Sequence, residues 1–321
     1  MGGLADATLL AAVAIGSLRG AGALMRASWP RRAPATAILL WQALGLAGGL
    51  AAVGALLAIG VGGIGVSRSG VLGGLAALVR RQATNGRLAD VGAGEPALVT
   101  LIRICSLLAG VVLLAVLAWV LMTAFLTAIQ ARRRQRELLA LLAHGDPKAP
   151  GALVVDHPAA AAYCLPGIRS QIVVSVGTLD LLAPAELAAV LAHERAHLRA
   201  RHDLVLIPFT SLRRAFPRSA VIRHAYRAVA LLVEMMADDR ALQVRGLLAR
   251  ELATALLRFG TAPAAADAPA GALAVAEGEL TARVSRLLTP PRPLSWPVQG
   301  LVVLSAVLLV AAPVVLLVAN P

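Results

Sequence analysis

The sequence predicts a mostly α membrane protein, with about four transmembrane helices and an α+β domain inserted between the third and the fourth. Three observations lead there. Of the 321 residues, 59% are hydrophobic and only 15% charged, and the mean hydropathy is +0.78, far from the averages of soluble domains. Four apolar stretches stand out, and three of them are long enough for a bilayer core about 30 Å thick, the first being the weakest candidate. Between the third and the fourth lies a more hydrophilic segment in which strand and helix patterns both occur.

The first stretch, Leu4 to Leu18, is short and contains Asp6. No small-residue cleavage site with polar flanks follows it, so it reads as an anchor rather than a removed signal peptide. The second, Ala35 to Val66, is rich in glycine and spans with tilt or a kink. The third, Ile104 to Ile129, carries no charge, and the fourth is Val298 to Ala319. Basic residues near the spans set the orientation. Arg132, Arg133, Arg134 and Arg136 follow the third span, against Arg87 and Arg103 before it, and Arg283, Arg286 and Arg292 precede the fourth. This places the inserted segment in the cytoplasm of a bacterial cell, below the inner membrane. The loop Ser67 to Arg103, with Arg68, Arg80 and Arg81, then lies outside and opposes that bias. The expected organisation is an N-terminal membrane domain of about three transmembrane helices (residues 1–131), a cytoplasmic domain (132–297) and a C-terminal transmembrane helix (298–321).

The net charge of +13 is nearly all arginine, Lys148 being the sole lysine. Aromatic residues make up 3% of the chain, too few for base stacking, so the charge reads as membrane topology and no direct nucleic-acid partner is expected. Cys105 falls in a span and Cys164 in the hydrophilic part, which argues against a disulfide between them, and neither belongs to a CxxC pair.

Within residues 132–297, Arg132 to Ala143 predicts a helix leaving the membrane, stopped by Gly145, Asp146 and Pro147. Ala152 to Val155, Ala161 to Leu165 and Gln171 to Val176 predict short strands separated by turn residues. Pro184 with Glu186 opens a helix to about His202, and a second runs from about Ala220 to Arg245, ended by Gly246. Thr261 to Gly271 reads as an Ala/Pro linker. Leu204 to Phe209 is too short to span and precedes Arg213 and Arg214. It is expected either to rest on the inner leaflet or to be an ordinary buried segment.

The strongest chemical signal is His193-Glu194-Arg195-Ala196-His197. Residues four apart stack on one helix face, so both imidazoles can reach one metal ion, and Glu194 points toward the same cleft to take a proton from water. Leu187, Val190, Leu191 and Leu198 supply the apolar stripe, within which Glu194 falls. A carboxylate there needs a partner. A catalytic zinc site has three protein ligands and one open position. His202 lies five residues after His197, one short of the extended histidine motif, and the required glycine is missing, so it reads either as a neighbour of a ligand or as a residue of the helix C-terminus rather than as a ligand. Glu234 is the expected third ligand. Asp238, one turn later, can hydrogen-bond a ligand histidine and set its tautomer.

Four segments carry a family resemblance: Ala162 to Gly167 (AYCLPG), Ile172 to Ser175 (IVVS), Glu186 to His202 (ELAAVLAHERAHLRARH) and Glu234 to Arg240 (EMMADDR). Over about residues 130–290 the chain resembles the BlaR/MecR-type membrane metallopeptidases, and more distantly it is similar to the HtpX and CAAX-prenyl endopeptidase group. The resemblance implies a gluzincin-like α+β metallopeptidase domain and one Zn2+ per chain held by His193, His197 and Glu234. It also implies Glu194 as general base and Asp238 as the partner of a ligand. In BlaR-type receptors a penicillin-binding sensor follows the last span. Here the sequence stops at Pro321 with no sensor-like Ser-x-x-Lys motif, so β-lactam sensing by this chain alone is not expected. A BlaI-type repressor is the partner the resemblance suggests.

The expected activity is therefore peptide-bond hydrolysis on a cytoplasmic or membrane-proximal protein. A regulatory protease acting on a repressor is one reading, and a processing or quality-control protease of HtpX type another. A non-catalytic zinc-binding scaffold is the third, disfavoured because a structural site is usually closed by four protein ligands. Arg240, Tyr226 and His224 are candidates for stabilising the carbonyl oxygen. The strand Gln171 to Val176 is either an edge onto which an extended substrate adds or plain core sheet.

Overall fold

The computed structural model describes residues 2–62, 70–85, 96–167, 170–262 and 270–318. Helix α1 (Gly2–Arg26) leads through a 3-10 turn (Trp29–Arg32) to α2 (Pro34–Val61), α3 (Gly70–Asn85) and α4 (Ala97–Leu142). Four short strands follow, β1 (Ala143–Gly145), β2 (Leu153–Val155), β3 (Ala162–Leu165) and β4 (Gln171–Ser175). The rest is helical: α5 (Val176–Leu181), α6 (Pro184–Ala200), α7 (His202–Ala215), α8 (Ala220–Ala241), α9 (Ala249–Thr261), α10 (Ala270–Leu288) and α11 (Trp296–Val318). Among the described residues, α1, α2, α4 and α11 are long and apolar enough to cross a membrane. This is a mostly α membrane protein with an inserted domain.

The helices differ from the expected apolar stretches at their ends. The first continues past Leu18 to Arg26, because arginines near a helix end extend their charge toward water without breaking it. The region expected as the loop Ser67 to Arg103 contains α3, with Arg80 and Arg81 on it, and Arg103 sits in the first turns of α4. Ser67, Arg68 and Arg87 lie outside the described residues, as does the part of the Thr261–Gly271 linker from 263 to 269. Helix α4 runs unbroken through Arg132 to Leu142. At 46 residues it is about 69 Å long, far more than a bilayer core requires.

Two compact units divide the chain. One comprises Met1–Pro30, Thr36–Val120 and Leu294–Pro321, and the other Arg31–Ala35 and Leu121–Pro293. In the first, Leu10, Ala51, Val53, Leu57, Ala58 and Val61 form a buried apolar core with Leu107 and Leu317 packed on it. Glycines permit its closest helix approach: a Cβ on Gly60 would meet the Cβ of Leu107 at 2.8 Å, and one on Gly110 would meet Leu57 at 2.9 Å. Small residues let helix backbones approach closely where lipid provides no hydrophobic drive for association.

In the second unit the sheet order is β1-β2-β4-β3. β1 pairs antiparallel with β2, β2 parallel with β4, and β3 antiparallel with β4. Gln171–Ser175 is thus an interior strand whose backbone is paired on both sides, the core-sheet member of the two expected roles and not the edge. β3 is the edge strand that carries Cys164. Leu187, Val190 and Leu191 of α6 pack on Val154, Ile172 and Val174 of the sheet and on Ala255 of α9. Ala189 and Ala192, on another side of α6, meet Ala241, Leu252 and Leu287. Helix α6 is therefore enclosed between the sheet and α8 to α10. Leu204 to Phe209 forms part of α7, where Phe209 is buried and Leu204 exposed.

Candidate metal centre

Helix α6 begins where Pro184 sets the first turn and Glu186 accepts from the Ala183 backbone N–H at 2.8 Å, its carboxylate also paired with Arg258 at 3.1 Å. The four-residue spacing then stacks His193 and His197 with their Nε2 atoms 3.0 Å apart. Helix α8 brings Glu234 opposite. Its Oε2 lies 3.3 Å from His193 Nε2 and its Oε1 lies 3.5 Å from His197 Nε2. These three side chains can hold a metal ion. A tetrahedral zinc with donors at about 2.0–2.2 Å separates them by about 3.3–3.6 Å, so the triangle fits, with the histidine pair slightly closer. The histidine side chains are 8% and 14% exposed and Glu234 36%, so the cluster is walled by α6 and open beside the carboxylate.

Each outward-facing nitrogen also meets a polar group. His193 Nδ1 is 3.0 Å from Asp238 Oδ1. His197 Nδ1 is 2.9 Å from His202 Nδ1. The second contact depends on Arg201, the only non-glycine residue with positive φ among the described residues (φ 51, ψ 44). A continuing helix would carry residue 202 about 140° around from 197. The left-handed turn ends α6, starts α7 and folds buried His202 back onto His197. Such strain is held only where the surroundings enforce it.

The electrostatics follow from this enclosure. Burial disfavours a charged His193, but Asp238 and Glu234 outweigh it and lift the ring to about 9. Burial opposes ionisation of Glu234 and Asp238 too. Both nevertheless sit below the ordinary carboxylate range, Glu234 through His193, His197 and Arg283, and Asp238 through His193 and Arg283. Burial pushes Glu194 upward, partly offset by the two histidines. Burial and the Glu194 charge together push the Cys164 thiol to about 12. His202 falls to about 3, first through burial and then through the charges of His197 and Arg240, so it stays neutral.

The structure thus brings His193, Glu194, His197, Glu234 and Asp238 together. Arg240 lies two residues beyond Asp238 and close enough to act on His202. Tyr226 instead lies under the Arg213 guanidinium, 4.1 Å from its ring centroid, and His224 hydrogen-bonds the Ala220 carbonyl at 2.7 Å. On the helix Tyr226 is about 12 Å before Glu234. Sequence reasoning missed Arg283. It donates from Nε to Asp238 Oδ2 at 2.9 Å and from Nη2 to Oδ1 at 2.7 Å, while Nη1 lies 3.0 Å from Glu234. Arg286, one turn on, clamps Asp239. The signal present was two adjacent acids and two arginines three apart, but 45 residues and a linker separate them.

The profile of Peptidase family M48 matches residues 128–291, just over half the chain and all of the residues just described. The chain belongs to Peptidase family M48. It is accordingly a metallopeptidase, a hydrolase whose family is generally zinc-dependent and which acts on a protein substrate. No curated protein and no solved structure matches it. The M48 match contains the four strands and α5 to α10 in full, together with the last turns of α4.

Proposed function

We propose that this M48 member is an integral-membrane zinc endopeptidase in which His193, His197 and Glu234 hold one zinc ion and Glu194 is the general base. The observation that carries the reading is the triangle of donor atoms, 3.0, 3.3 and 3.5 Å on its sides, at a site with one open flank. Three ligands with a free position suit catalysis, whereas a scaffold site is usually closed by four. The chemistry a bound zinc supplies is Lewis acidity, toward the scissile carbonyl and toward a water.

The chain's own residues do the rest. Glu194 accepts the proton of the attacking water and delivers it to the leaving amine, and its burial among apolar groups raises its basicity for that role. Asp238 holds His193 in the tautomer that leaves Nε2 free, and His202 does the same for His197. Arg283 balances the charge of Glu234 and Asp238 and keeps both in place. An extended peptide adds to the edge of β3, which puts its backbone beside Cys164 and Glu194. Among the three candidates for steadying the carbonyl oxygen, Arg240 is carried forward, since Tyr226 and His224 are engaged elsewhere.

The peptidase domain faces the cytoplasm of a bacterial inner membrane in this reading, by the arginines around α4 and α11. Its substrate is a protein near that surface. The BlaR/MecR resemblance favours a regulatory target such as a BlaI-type repressor. The deciding experiment is zinc analysis of detergent-purified wild type, Glu234→Ala and Glu194→Ala, each with a casein cleavage assay. The reading requires about one zinc per wild-type chain, lost or weakened in Glu234→Ala, and a metal-loaded but inactive Glu194→Ala. A carefully prepared wild type without zinc overturns it.

A further inference from the structure

The hairpin between α7 and α8 carries features that the catalytic reading does not use. From Leu204 to Val233 the sequence contains no acid and five arginines, at 213, 214, 218, 223 and 227. At the turn between the helices, Phe216 is 42% and Val221 51% exposed, and Arg213, Arg214 and Arg218 are exposed around them. The turn is nonetheless well built. Ser219 caps α8 by accepting from the Ile222 N–H, Arg223 donates to the Pro217 carbonyl at 2.9 Å, and Arg213 stacks on Tyr226. An apolar tip ringed by cations on an ordered turn is not an ordinary solvated surface.

Its placement gives the partner. The start of α7 is fastened to α4 by Asp203 with Arg132 at 2.9 Å, and the end of α7 by Arg214 with Thr127 Oγ1 at 2.8 Å. Along α7, therefore, the matching position on α4 moves from the first arginine after the span to a residue inside the uncharged stretch. The turn follows that second contact, so with α4 as a span its chain position puts it near the boundary between headgroups and hydrocarbon. Arginines there extend toward phosphates while their stems and a phenylalanine stay in the apolar layer.

We propose that the α7–α8 turn is a docking surface for the anionic phospholipid headgroups of the membrane that α4 spans, with Phe216 and Val221 inserted and Arg213 and Arg218 on the phosphates. The proposal rests on α4 being a span and is independent of the metal site. Docking here holds the α6–α8 layer, and with it the open flank at Glu234, at a set height above the bilayer. The chemistry that recognises the tip is a dense layer of negative charge over hydrocarbon, which a free anion or a nucleic acid does not offer.

The test places a nitroxide on the full chain in a Cys105→Ser, Cys164→Ser background, reconstituted in vesicles of phosphatidylcholine with phosphatidylglycerol. Labels go at Phe216→Cys and Val221→Cys in the tip, at Val244→Cys beyond the far end of α8 as the aqueous reference, and at Val116→Cys in α4 as the span reference. Collision with oxygen and with a water-soluble nickel chelate is then measured. The tip labels are expected to favour oxygen over nickel several-fold relative to residue 244. They should shift toward water in pure phosphatidylcholine and in an Arg213→Gln, Arg218→Gln variant. Nickel access equal to that of residue 244 overturns the proposal. So does shielding from both reagents, which means a protein covers the tip, and so does insertion that ignores lipid charge. A residue-116 label open to nickel overturns it by a different route, because α4 then does not span.

Discussion

His193 Nδ1 faces Asp238 Oδ1 at 3.0 Å, and the same carboxylate takes both arms of the Arg283 guanidinium. One buried aspartate thus connects the His193 imidazole to a cation on another helix. Replacing Asp238 by Asn keeps the shape but removes the charge that fixes the imidazole tautomer. Zinc affinity is expected to fall by about 10- to 100-fold, read by competition against a chelator of known strength. Unchanged affinity would show that Asp238 serves the fold alone.

Loss of Arg283 should destabilise the domain. Arg283→Leu deprives Asp238, 2% exposed, of its two-armed cationic partner and leaves it His193 alone. Removing one side of a buried pair typically costs about 3–5 kcal/mol, so the detergent-solubilised protein should unfold at markedly lower temperature by calorimetry. Arg283→Lys should recover only part of this, since an ammonium cannot make the two-armed contact.

Zinc binding should be strongly pH-dependent, and the sign follows from His193. In the metal-free site it is protonated below about 9, because burial is outweighed by Asp238 and Glu234. It must lose that proton to bind. Affinity should therefore rise with pH up to about 9, by close to tenfold per pH unit below that point. Calorimetry in buffers of different ionisation enthalpy should show about one proton released per zinc near pH 7. Binding without proton release would contradict this.

Glu194→Gln should retain zinc and lose about 10²- to 10⁴-fold in kcat, with KM little changed. In the wild type the acid limb of the kcat profile should lie above the ordinary glutamate range, because burial raises Glu194 and its base form disappears as pH falls through that raised value.

Cys164 provides a check on this geometry that does not depend on activity. Its thiol is held at about 12 by burial and by the Glu194 charge, so it should alkylate slowly at pH 8. Glu194→Gln removes that charge, lowers the thiol pKa and should speed the reaction, measured on Cys164 by peptide mass spectrometry in a Cys105→Ser background. An unchanged rate would mean that the two side chains do not meet.

What the sequence reveals is what neighbouring residues decide together. The His193 and His197 pairing needs only helical periodicity, and the spans need only length and apolarity, so both are readable without a fold. The short strands at Leu153, Ala162 and Gln171 were readable from turns and β-branched residues for the same reason. The order of those strands was not, because pairing on both sides of β4 depends on where β2 and β3 dock, and a strand's pattern does not say who its neighbours are.

The sequence named Glu234 and Asp238 as candidates, but tertiary structure alone decided their distances from the histidines and the rest of the surroundings. Glu234 and Asp238 belong to a helix some forty residues beyond the histidines, and only the packing of α8 on α6 sets the 3.3 and 3.5 Å distances. Arg283 arrives from still further along the chain, and in the sequence its pairing could not be told from that of any other arginine. His202 reaches His197 only because Arg201 adopts a left-handed turn, which no residue preference for arginine predicts. The residue types, the helix faces and the membrane segments were written locally. The distances that make three side chains a candidate zinc site come from buried helices packing at close range, where each contact depends on residues far apart in sequence.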